Sequence, residues 1–335
     1  MEVGKLPAAL LARLLAQNQV TDPRVLVGPA PGEDAAAIAM GDRVLVAKTD
    51  PITFATAEIG WYAVNVNAND VATMGAVPRW FLATVLLPEG APESQAEEIF
   101  RQIRDACGEL GITLVGGHTE ITYGLPRPVV VGCLLGEAEP DGLLSSAGAR
   151  PGDALLLTKG IAVEGTAILA REASEALQAA GVPASLCQRA AEFLHHPGIS
   201  VVREAAVARA CGGVHAMHDP TEGGLATGLR ELATAAGAGL RLDAEALPVL
   251  PETRALCTAL SLDPLGLIAS GALLVAADPA RADDLLAAFA AAGIPAARIG
   301  ELTAPEEGLW LERAGERLPL PNFPRDELAR FFAPG

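Results

Sequence analysis

The chain has 335 residues, of which 24 are Lys or Arg and 41 are Asp or Glu, so its formal net charge is −17. Such a charge repels phosphate backbones and anionic lipid surfaces, which argues against nucleic acid or a membrane as a partner. With this length and 50% hydrophobic residues, the chain is expected to form two domains, each with a core of its own.

The N-terminal residues and the cysteines both indicate a cytoplasmic protein. The opening sequence MEVGKLPAALLARLL lacks the charged, apolar and cleavage regions of a signal peptide. No apolar run approaches the ~20 residues that a membrane span requires. The five cysteines are scattered without a C-x-x-C pair, as is usual for reduced thiols.

The first half of the chain alternates strand and helix patterns. The predicted segments, in chain order, are a helix near residues 7–17, strands at 35–40 and 43–50, a helix at 55–76, a strand at 80–88, a helix at 93–111 and strands at 112–117 and 127–138. Pro, Gly, Asp and Ser then cluster over residues 139–154, which predicts a domain boundary.

The second half begins a new α/β unit with the sequence DALLLTKG. Alanine-rich helices are predicted there between strands at 239–243, 271–278 and 297–302. We therefore expect an N-terminal domain over residues 1–140 and a C-terminal domain over residues 150–335.

The segment GPAPGEDAAAI, residues 28–38, places Glu33 and Asp34 directly before a predicted buried strand. Gly and Pro are ordinary turn residues, but charge beside a core is costly unless something pairs with it. We expect a cation to be that partner.

The helix predicted at 55–76 contains Asn65, Asn67, Asn69 and Asp70 among apolar residues. Asn and Asp are poor in helix interiors because their side chains compete for backbone hydrogen bonds. Asn67 and Asp70 are three residues apart and share a face, where they could bind a metal or a phosphate-bound water. The alternative is a solvent-facing polar stripe, but the apolar residues around them leave little of the helix for water.

Two strand ends carry polar residues of the same kind. In LVAKTDPIT, an apolar strand ends in Lys48, Thr49 and Asp50, and Pro51 is expected to stop further pairing. Asp50 could coordinate a metal there or act simply as a turn residue. The second strand end, LVGGHTEIT, supplies paired glycines that could approach a ligand closely and three polar residues that could bind phosphate or metal. These residues are Gly116, Gly117, His118, Thr119 and Glu120.

In the second half, HDPTEGG places His218 and Asp219 before Pro220, with Thr221 and Glu222 expected to open a helix. A helix N-terminus is an anion site in principle, although capping alone would explain Asp219 or Thr221. KGIAVEGT offers Lys159 and Glu164 near a helix start. His195 and His196 are adjacent in sequence, and we do not expect them to form a metal pair.

These motifs together resemble the superfamily that contains aminoimidazole ribonucleotide (AIR) synthase, thiamine monophosphate kinase, selenophosphate synthetase and HypE. GEDAA is similar to the family's GDDAA, KTD to its strand-end T-D, NDVATMGAVP to N-D-x-A-x-x-G-A-x-P, and GGHTE to G-G-[DEH]-T. MHDPTEGGLA is similar to the HypE-like M-[RH]-D-P-T-x-G-G-L-A, and SLDPLGLIASGALL to the D-P-L stretch of that branch. The resemblance spans nearly the whole chain in the right order.

The resemblance implies a two-domain PurM-like fold of the α/β (α+β) class. Its N-terminal sheet domain has flanking helices and forms a homodimer, and ATP-Mg²⁺ binds between it and a C-terminal α/β domain. The carboxylates implied to bind Mg²⁺ are Asp34, Asp50, Asp70 and Asp219. The candidate ATP-binding residues are Lys48, Thr49, Asn67, Asn69, Gly116, Gly117, Thr119, Thr221 and Gly223. The candidate catalytic residues are His118, Glu120, Lys159 and Glu222.

The expected reaction uses ATP to phosphorylate or activate an oxygen of a small or carrier-bound amide or acid. HypE ends in a cysteine that accepts a carbamoyl group, whereas this sequence ends in RFFAPG, which argues against that step. A selenophosphate synthetase is expected to carry a reactive cysteine or an equivalent residue in a glycine-rich N-terminal segment, and MEVGKLPAALL has none. Two alternatives remain: a kinase similar to thiamine monophosphate kinase, and a non-catalytic, ATP-regulated maturation factor with a protein partner.

Overall fold

A computed structural model describes the chain except for residues 1–5, 7, 18–19, 31–32, 54–56 and 333–335. The chain folds into two compact units. The N-terminal unit comprises Val20–Pro29 and Asp34–Leu143, and the C-terminal unit comprises the chain from Leu144 onward with short stretches before Asp34. No described helix has both the length and the apolar character needed to cross a membrane.

The N-terminal unit is built on one sheet, in which six strands are described. Its elements are β1 (Val25–Val27), β2 (Ala36–Met40), β3 (Arg43–Ile52), α2 (Ile59–Thr73), β4 (Val77–Pro88), α3 (Glu93–Leu110), β5 (Thr113–Thr122) and β6 (Val129–Ala138), and α1 (Ala8–Leu15) precedes them. The strand order is β1-β2-β3-β6-β4-β5, antiparallel except for the parallel pair β4–β5.

Alternation of buried and half-buried residues gives this sheet two different faces. On β4 and β6 the buried side chains include Phe81, Val85, Val130 and Leu134. α2 packs on that face, against β3, β4 and β6, and α3 packs beside it. The opposite face, which we call the open face, carries half-buried residues such as Leu82 and Val131.

The C-terminal unit contains a second sheet with strand order β13-β12-β9-β11-β7-β10-β8, antiparallel except for β9–β12. Its elements are β7 (Ala154–Thr158), α4 (Val163–Glu172), α5 (Ser174–Ala179), α6 (Ala184–Ala191), α7 (Val202–Cys211), β8 (Val214–His218), α8 (Gly224–Ala236), β9 (Gly239–Asp243), α9 (Pro251–Leu260), β10 (Leu274–Ala277), α10 (Ala282–Ala291), β11 (Ala296–Thr303), β12 (Leu309–Arg313), β13 (Glu316–Pro319) and α11 (Glu327–Phe332). Leu155, Leu229, Leu274 and Ile299 lie in its main core.

The predicted α/β (α+β) class with two units is confirmed, but three local predictions were wrong. Pro51 does not end β3, which pairs with β6 as far as Ile52. Pairing with β2 stops at Ala47, so beyond it β3 has only one neighbour and a proline can turn its nitrogen to the unpaired side. The strand predicted at 112–117 continues to Thr122, so the GGHTE motif lies within β5.

The third error concerns HDPTEGG, where we expected Thr221 and Glu222 to open a helix. α8 begins only at Gly224, after Gly223 with a φ of 82°. A left-handed glycine at this position ends the preceding turn, so the polar residues lie in the connection between β8 and α8. The helix predicted at 55–76 is shorter than expected, and part of its predicted first turn lies outside the described residues.

Candidate functional site

The polar residues of β3 and α2 meet in the N-terminal unit. Lys48 Nζ lies 3.0 Å from Asp70 Oδ2 and 3.4 Å from Asp50 Oδ2. The Asp70 side chain is 7% exposed and that of Asp50 35% exposed, so the group extends from the core to the surface. Packing of α2 against β3 therefore brings Asp70 and Lys48, from two separate sequence motifs, to one site.

A glycine on β6 makes room for this arrangement. Gly132 pairs with Asp50, and a Cβ atom at Gly132 would lie 2.3 Å from Asn67 Nδ2. A side chain at this position would therefore force Asn67 and Phe81 to move.

Asn67 is fully buried, and its amide nitrogen is anchored to the backbone. Nδ2 donates to Ala63 O at 2.8 Å and to Asp50 O at 3.3 Å. Oδ1 is buried and has no hydrogen-bond partner among the described residues. A buried acceptor without a donor costs stability, so Asn67 Oδ1 is suited to a ligand that brings a donor or a positive charge.

Asp34 joins the same group from the segment before β2. One of its carboxylate oxygens lies within 4.8 Å of one of Asp70. Thr73 Oγ1 donates to Asp70 O at 2.8 Å and lies 3.3 Å from Asp34 Oδ2. Thr73 was not singled out from the sequence, although it follows Asp70 by three residues on α2.

Burial and neighbouring charges act together on the titratable groups of this site. Burial raises the pKa of Asp70 to about 7; Lys48 acts in the opposite direction, and Asp34 and Asp50 add to the increase. Burial lowers the pKa of Lys48, but Asp70, Asp50 and Asp34 outweigh it, so that pKa is raised overall. Lys48 therefore carries an ammonium group that three carboxylates share.

This donor set fits a hard divalent cation. Carboxylate and amide oxygens are the ligands that Mg²⁺ prefers, and the ion keeps several positions for water or phosphate. Asp34, Asp50 and Asp70 supply the charge, and Asn67 Oδ1 supplies a neutral acceptor. The buried Asn69 lies on the same helix, whereas Thr49 Oγ1 donates to Gly132 O and is used within the sheet.

Within one copy of the chain, the GGHTE residues lie far from the group formed by Lys48, Asp50 and Asp70. Gly117 of β5 pairs with Ala83 of β4. Ala83 pairs in turn with Gly132 of β6, and Gly132 pairs with Asp50 of β3. Three strand spacings separate the two motifs, about 14 Å. His118 and Glu120 pair with Thr84 and Leu86 on the open face, with side chains 69% and 56% exposed and His118 Nε2 3.5 Å from Glu120 Oε2.

The paired glycines have a structural cause. Gly117 has a φ of 148°, and a Cβ atom there would lie 1.9 Å from Ala83 O. The register of β4 and β5 also shifts between Phe81 and Leu82, where Val115 is the extra residue. The close approach expected for the paired glycines is therefore made at Gly117, to the neighbouring strand, whereas a Cβ atom at Gly116 would meet no atom within 4 Å. Thr119, on the same strand, is exposed.

Lys159, in the C-terminal unit, has a different environment. Nζ donates to Ser200 O at 2.6 Å and Gly198 O at 3.0 Å, and it lies 2.9 Å from Glu204 Oε1. All three ammonium hydrogens are thereby used. Burial lowers the pKa of Lys159, and Glu204 opposes this effect. The geometry favours a structural role over the predicted catalytic one, and Glu204 was not identified from the sequence.

The HDPTEGG segment is fastened by a residue that sequence reasoning missed. Asp326 Oδ2 accepts from Gly223 N at 2.6 Å, and its Oδ1 accepts from Leu328 N at 2.7 Å. Burial raises the pKa of Asp326 to about 6, and these backbone donors oppose the increase. Asp219 is 2% exposed, while Thr221 and Glu222 are half-buried. His218 Nε2 lies 3.3 Å from Glu231 Oε2.

Comparison with known proteins places the chain in a family. Residues 32–138 match the N-terminal domain model of the AIR synthase related proteins, and residues 150–311 match the C-terminal domain model. Carbamoyl dehydratase HypE of Cupriavidus necator is 36% identical over 284 residues, 81% of this chain and 77% of that protein. Carbamoyl dehydratase HypE of Azotobacter vinelandii is 33% identical over 313 residues, 91% of this chain and 86% of that protein.

A solved structure extends the similarity to the fold. The crystal structure of the hydrogenase maturation protein HypE in complex with ATP superimposes with a TM-score of 0.71 at 27% identity, covering 95% of this chain and 91% of that one. The resemblance inferred from the motifs is confirmed. The chain belongs to the AIR synthase related protein family, in its HypE-like branch.

Proposed function

We propose that the protein is an ATP- and Mg²⁺-dependent enzyme that phosphorylates or activates an oxygen of a small or carrier-bound amide or acid. The observation that carries the proposal is the group in which Lys48 lies beside three carboxylates, with Asp70 buried and the buried Asn67 Oδ1 on the same helix. A binding surface for a neutral molecule does not need such a concentration of charge beside a core.

The metal ligands are Asp34, Asp50 and Asp70, joined by Asp219 as the family motif implies. Bound there, Mg²⁺ would neutralise charge on the phosphates of a nucleotide and orient them. Lys48 would provide a positive charge for a phosphate oxygen, and the buried Asn67 Oδ1 would accept a hydrogen bond from a donor of the bound ligand. Thr73 holds the Asp34 carboxylate toward Asp70.

Relatives support ATP as the nucleotide. A HypE that is 27% identical was crystallised with ATP, and its structure covers nearly all of this chain. The relatives from Cupriavidus and Azotobacter are carbamoyl dehydratases, which favours an amide-bearing substrate. In phosphoryl transfer the protein mainly positions the reactants and stabilises charge, which the lysine and carboxylates of this site are suited to do.

The open face supports a homodimer through the N-terminal unit. Leu82, Leu86, Val131 and Leu135 are half-buried there and offer apolar area to a second copy. Closure of this face against a second copy would also bury His118 and Glu120, which could then act as acid and base. Light scattering is expected to show a dimer, and Val131→Asp is expected to give a folded monomer.

The decisive experiment compares Mg-ATP binding by the wild type and Asp70→Asn. The substitution preserves size but removes one charge, so the apo fold should survive while the Mg-ATP-induced rise in melting temperature is lost. Asp105→Asn is the matched control because it removes the same charge from an exposed position on α3. Equal ligand-induced rises in the Asp70 variant and the wild type would overturn the metal assignment.

Turnover is tested separately. The wild type is incubated with Mg-ATP and a panel of amides, acids and thiamine monophosphate, and phosphorus NMR follows the nucleotide. Consumption of ATP that requires an amide or acid supports the proposal, whereas transfer to thiamine monophosphate would make the protein a kinase of that type. Binding without consumption under any condition would indicate an ATP-regulated maturation factor that acts through a protein partner.

A further inference from the structure

The C-terminal unit contains a cavity of about 660 Å³ that the proposed function does not use. It opens among the loop after β9, helix α9, the turn at Ser261–Leu265, the end of β12 and helix α11. This volume is in the range of pockets that bind small organic molecules. We call it the arginine pocket because Arg254, Arg313 and Arg330 line it.

Part of the wall is apolar. Ile161, Leu247, Val249, Leu262 and Leu265 contribute side chains to the lining, and Leu262 and Leu265 are buried. These residues offer a surface for a hydrocarbon body of a ligand, because removing apolar area from water is favourable.

Most of the charge on one side of the pocket is neutralised internally. Glu327 accepts from Arg330 through both oxygens, at 2.8 and 2.6 Å, and its Oε2 also accepts from Asp263 N at 3.0 Å. Arg330 Nη2 also donates to Ser261 O at 2.9 Å. Asp263 Oδ1 accepts from Leu265 N at 2.9 Å. These groups form a fixed polar wall with little capacity left for a ligand.

Arg254 and Arg313 are different. Both line the cavity, both are exposed, and neither guanidinium group has an ion pair or hydrogen bond within the part of the chain that the structure describes. Glu245, also in the lining, is the one exposed carboxylate that no ion pair engages there. The lining as a whole has three arginines and three carboxylates and is formally neutral, in a chain whose net charge is −17, so Arg254 and Arg313 are the groups on which an anion could be held.

We propose that the arginine pocket binds a small organic anion, with a phosphate or carboxylate group held by Arg254 and Arg313 and an apolar body against Leu247 and Val249. Planar guanidinium groups match both kinds of anion and can donate two hydrogen bonds to each. Glu245 would favour a ligand that also carries a hydrogen-bond donor. The site lies wholly within the C-terminal unit, so the proposal does not rest on the ATP site.

Isothermal titration calorimetry on the full chain tests the proposal with three probes of similar length: butyl phosphate, pentanoate and the neutral pentanol. Saturable binding is expected for at least one anion and not for the alcohol. The double variant Arg254→Gln, Arg313→Gln should bind that anion about tenfold more weakly or worse, since charge-assisted hydrogen bonds are lost. Arg104→Gln, an exposed arginine of α3, is the matched control and should bind as the wild type does.

Each result has a defined meaning. Binding of butyl phosphate alone assigns a phosphate ester, and binding of pentanoate alone assigns a carboxylic acid. Circular dichroism and melting without ligand establish that the double variant is folded; if it is not, the single variants Arg254→Gln and Arg313→Gln take its place. Absence of saturable binding of both anions by the wild type, or unchanged affinity in the folded arginine variants, would overturn the proposal.

Discussion

The half-buried Lys48 and the buried Lys159 are both paired with carboxylates, and their surroundings lead to opposite interpretations. Lys159 meets one carboxylate, Glu204, and two backbone carbonyls, so its charge and all its hydrogens are matched. Lys48 meets Asp70 and Asp50, with Asp34 close enough to raise its pKa further. A buried charge with all its hydrogens paired fits a fold without a ligand, whereas carboxylates that lie close together repel one another, and a cation can relieve that repulsion.

Lys159 offers the most direct test of this contrast. We expect Lys159→Met to lower the free energy of unfolding by about 3–5 kcal/mol, because Glu204 is left buried without a counter-charge. Urea denaturation measures the change. The double variant Lys159→Met, Glu204→Gln should recover much of the loss. A single variant as stable as the wild type would show that the pair contributes little to the fold.

Asp326 adds a third case because it is a buried carboxylate held by backbone donors and not by a lysine. Its pKa is raised from 3.8 to about 6, so its stabilising contribution is full below pH 3.8 and is lost as the pH rises through about 6. Asp326→Asn removes this dependence and also leaves one N–H donor without an acceptor. We expect the variant to be destabilised by about 1 kcal/mol more near pH 5 than near pH 8.

Denaturant titrations of the wild type and Asp326→Asn at the two pH values measure this difference. Glu306→Gln, which removes a charge from an exposed residue of the same unit, serves as the control. A destabilisation that is the same at both pH values would contradict ionisation of Asp326 in this range.

For Asp70→Asn, the expected change in the free energy of unfolding is smaller and has the opposite sign. The pKa of Asp70 is raised to about 7, so its contribution to stability is full below pH 3.8 and is lost as the pH rises through about 7. Near pH 8, without metal, Asp70→Asn should therefore leave the protein as stable as the wild type or more stable, by on the order of 1 kcal/mol. Thermal melts in the presence of a chelator measure this. A clear loss of stability would mean that Asp70 balances Lys48 as Glu204 balances Lys159.

The sequence was sufficient to predict the two-unit α/β organisation and most strands and helices. It also singled out Asn67 and Asp70, because Asn and Asp within an apolar helix conflict with ordinary packing, and Lys48 and Asp50, because they are polar residues at the end of an apolar strand. Local conflicts of this kind are visible without a structure. Asp34 could be named because a charge preceded a buried strand.

What the sequence could not provide depended on contacts between distant segments. Glu204 and Asp326 stand in unremarkable sequences, and only the folded chain brings them to Lys159 and Gly223. The position of His118 depended on the strand order, since pairing of β5 with β4 moves it three strands from Asp50. Pro51 within β3 likewise depended on where β2 begins, since Ala36, the first residue of β2, pairs with Ala47.

The hydrogen bond from Gly223 to Asp326 also has a consequence for the order in which the protein can mature during synthesis. The two residues are separated by 103 positions, so the HDPTEGG segment leaves the ribosome long before its anchor. At usual rates of translation this interval is roughly 5–20 s. During that time Gly223 N lacks its acceptor, and the connection between β8 and α8 must wait for the last helix before it reaches its final conformation.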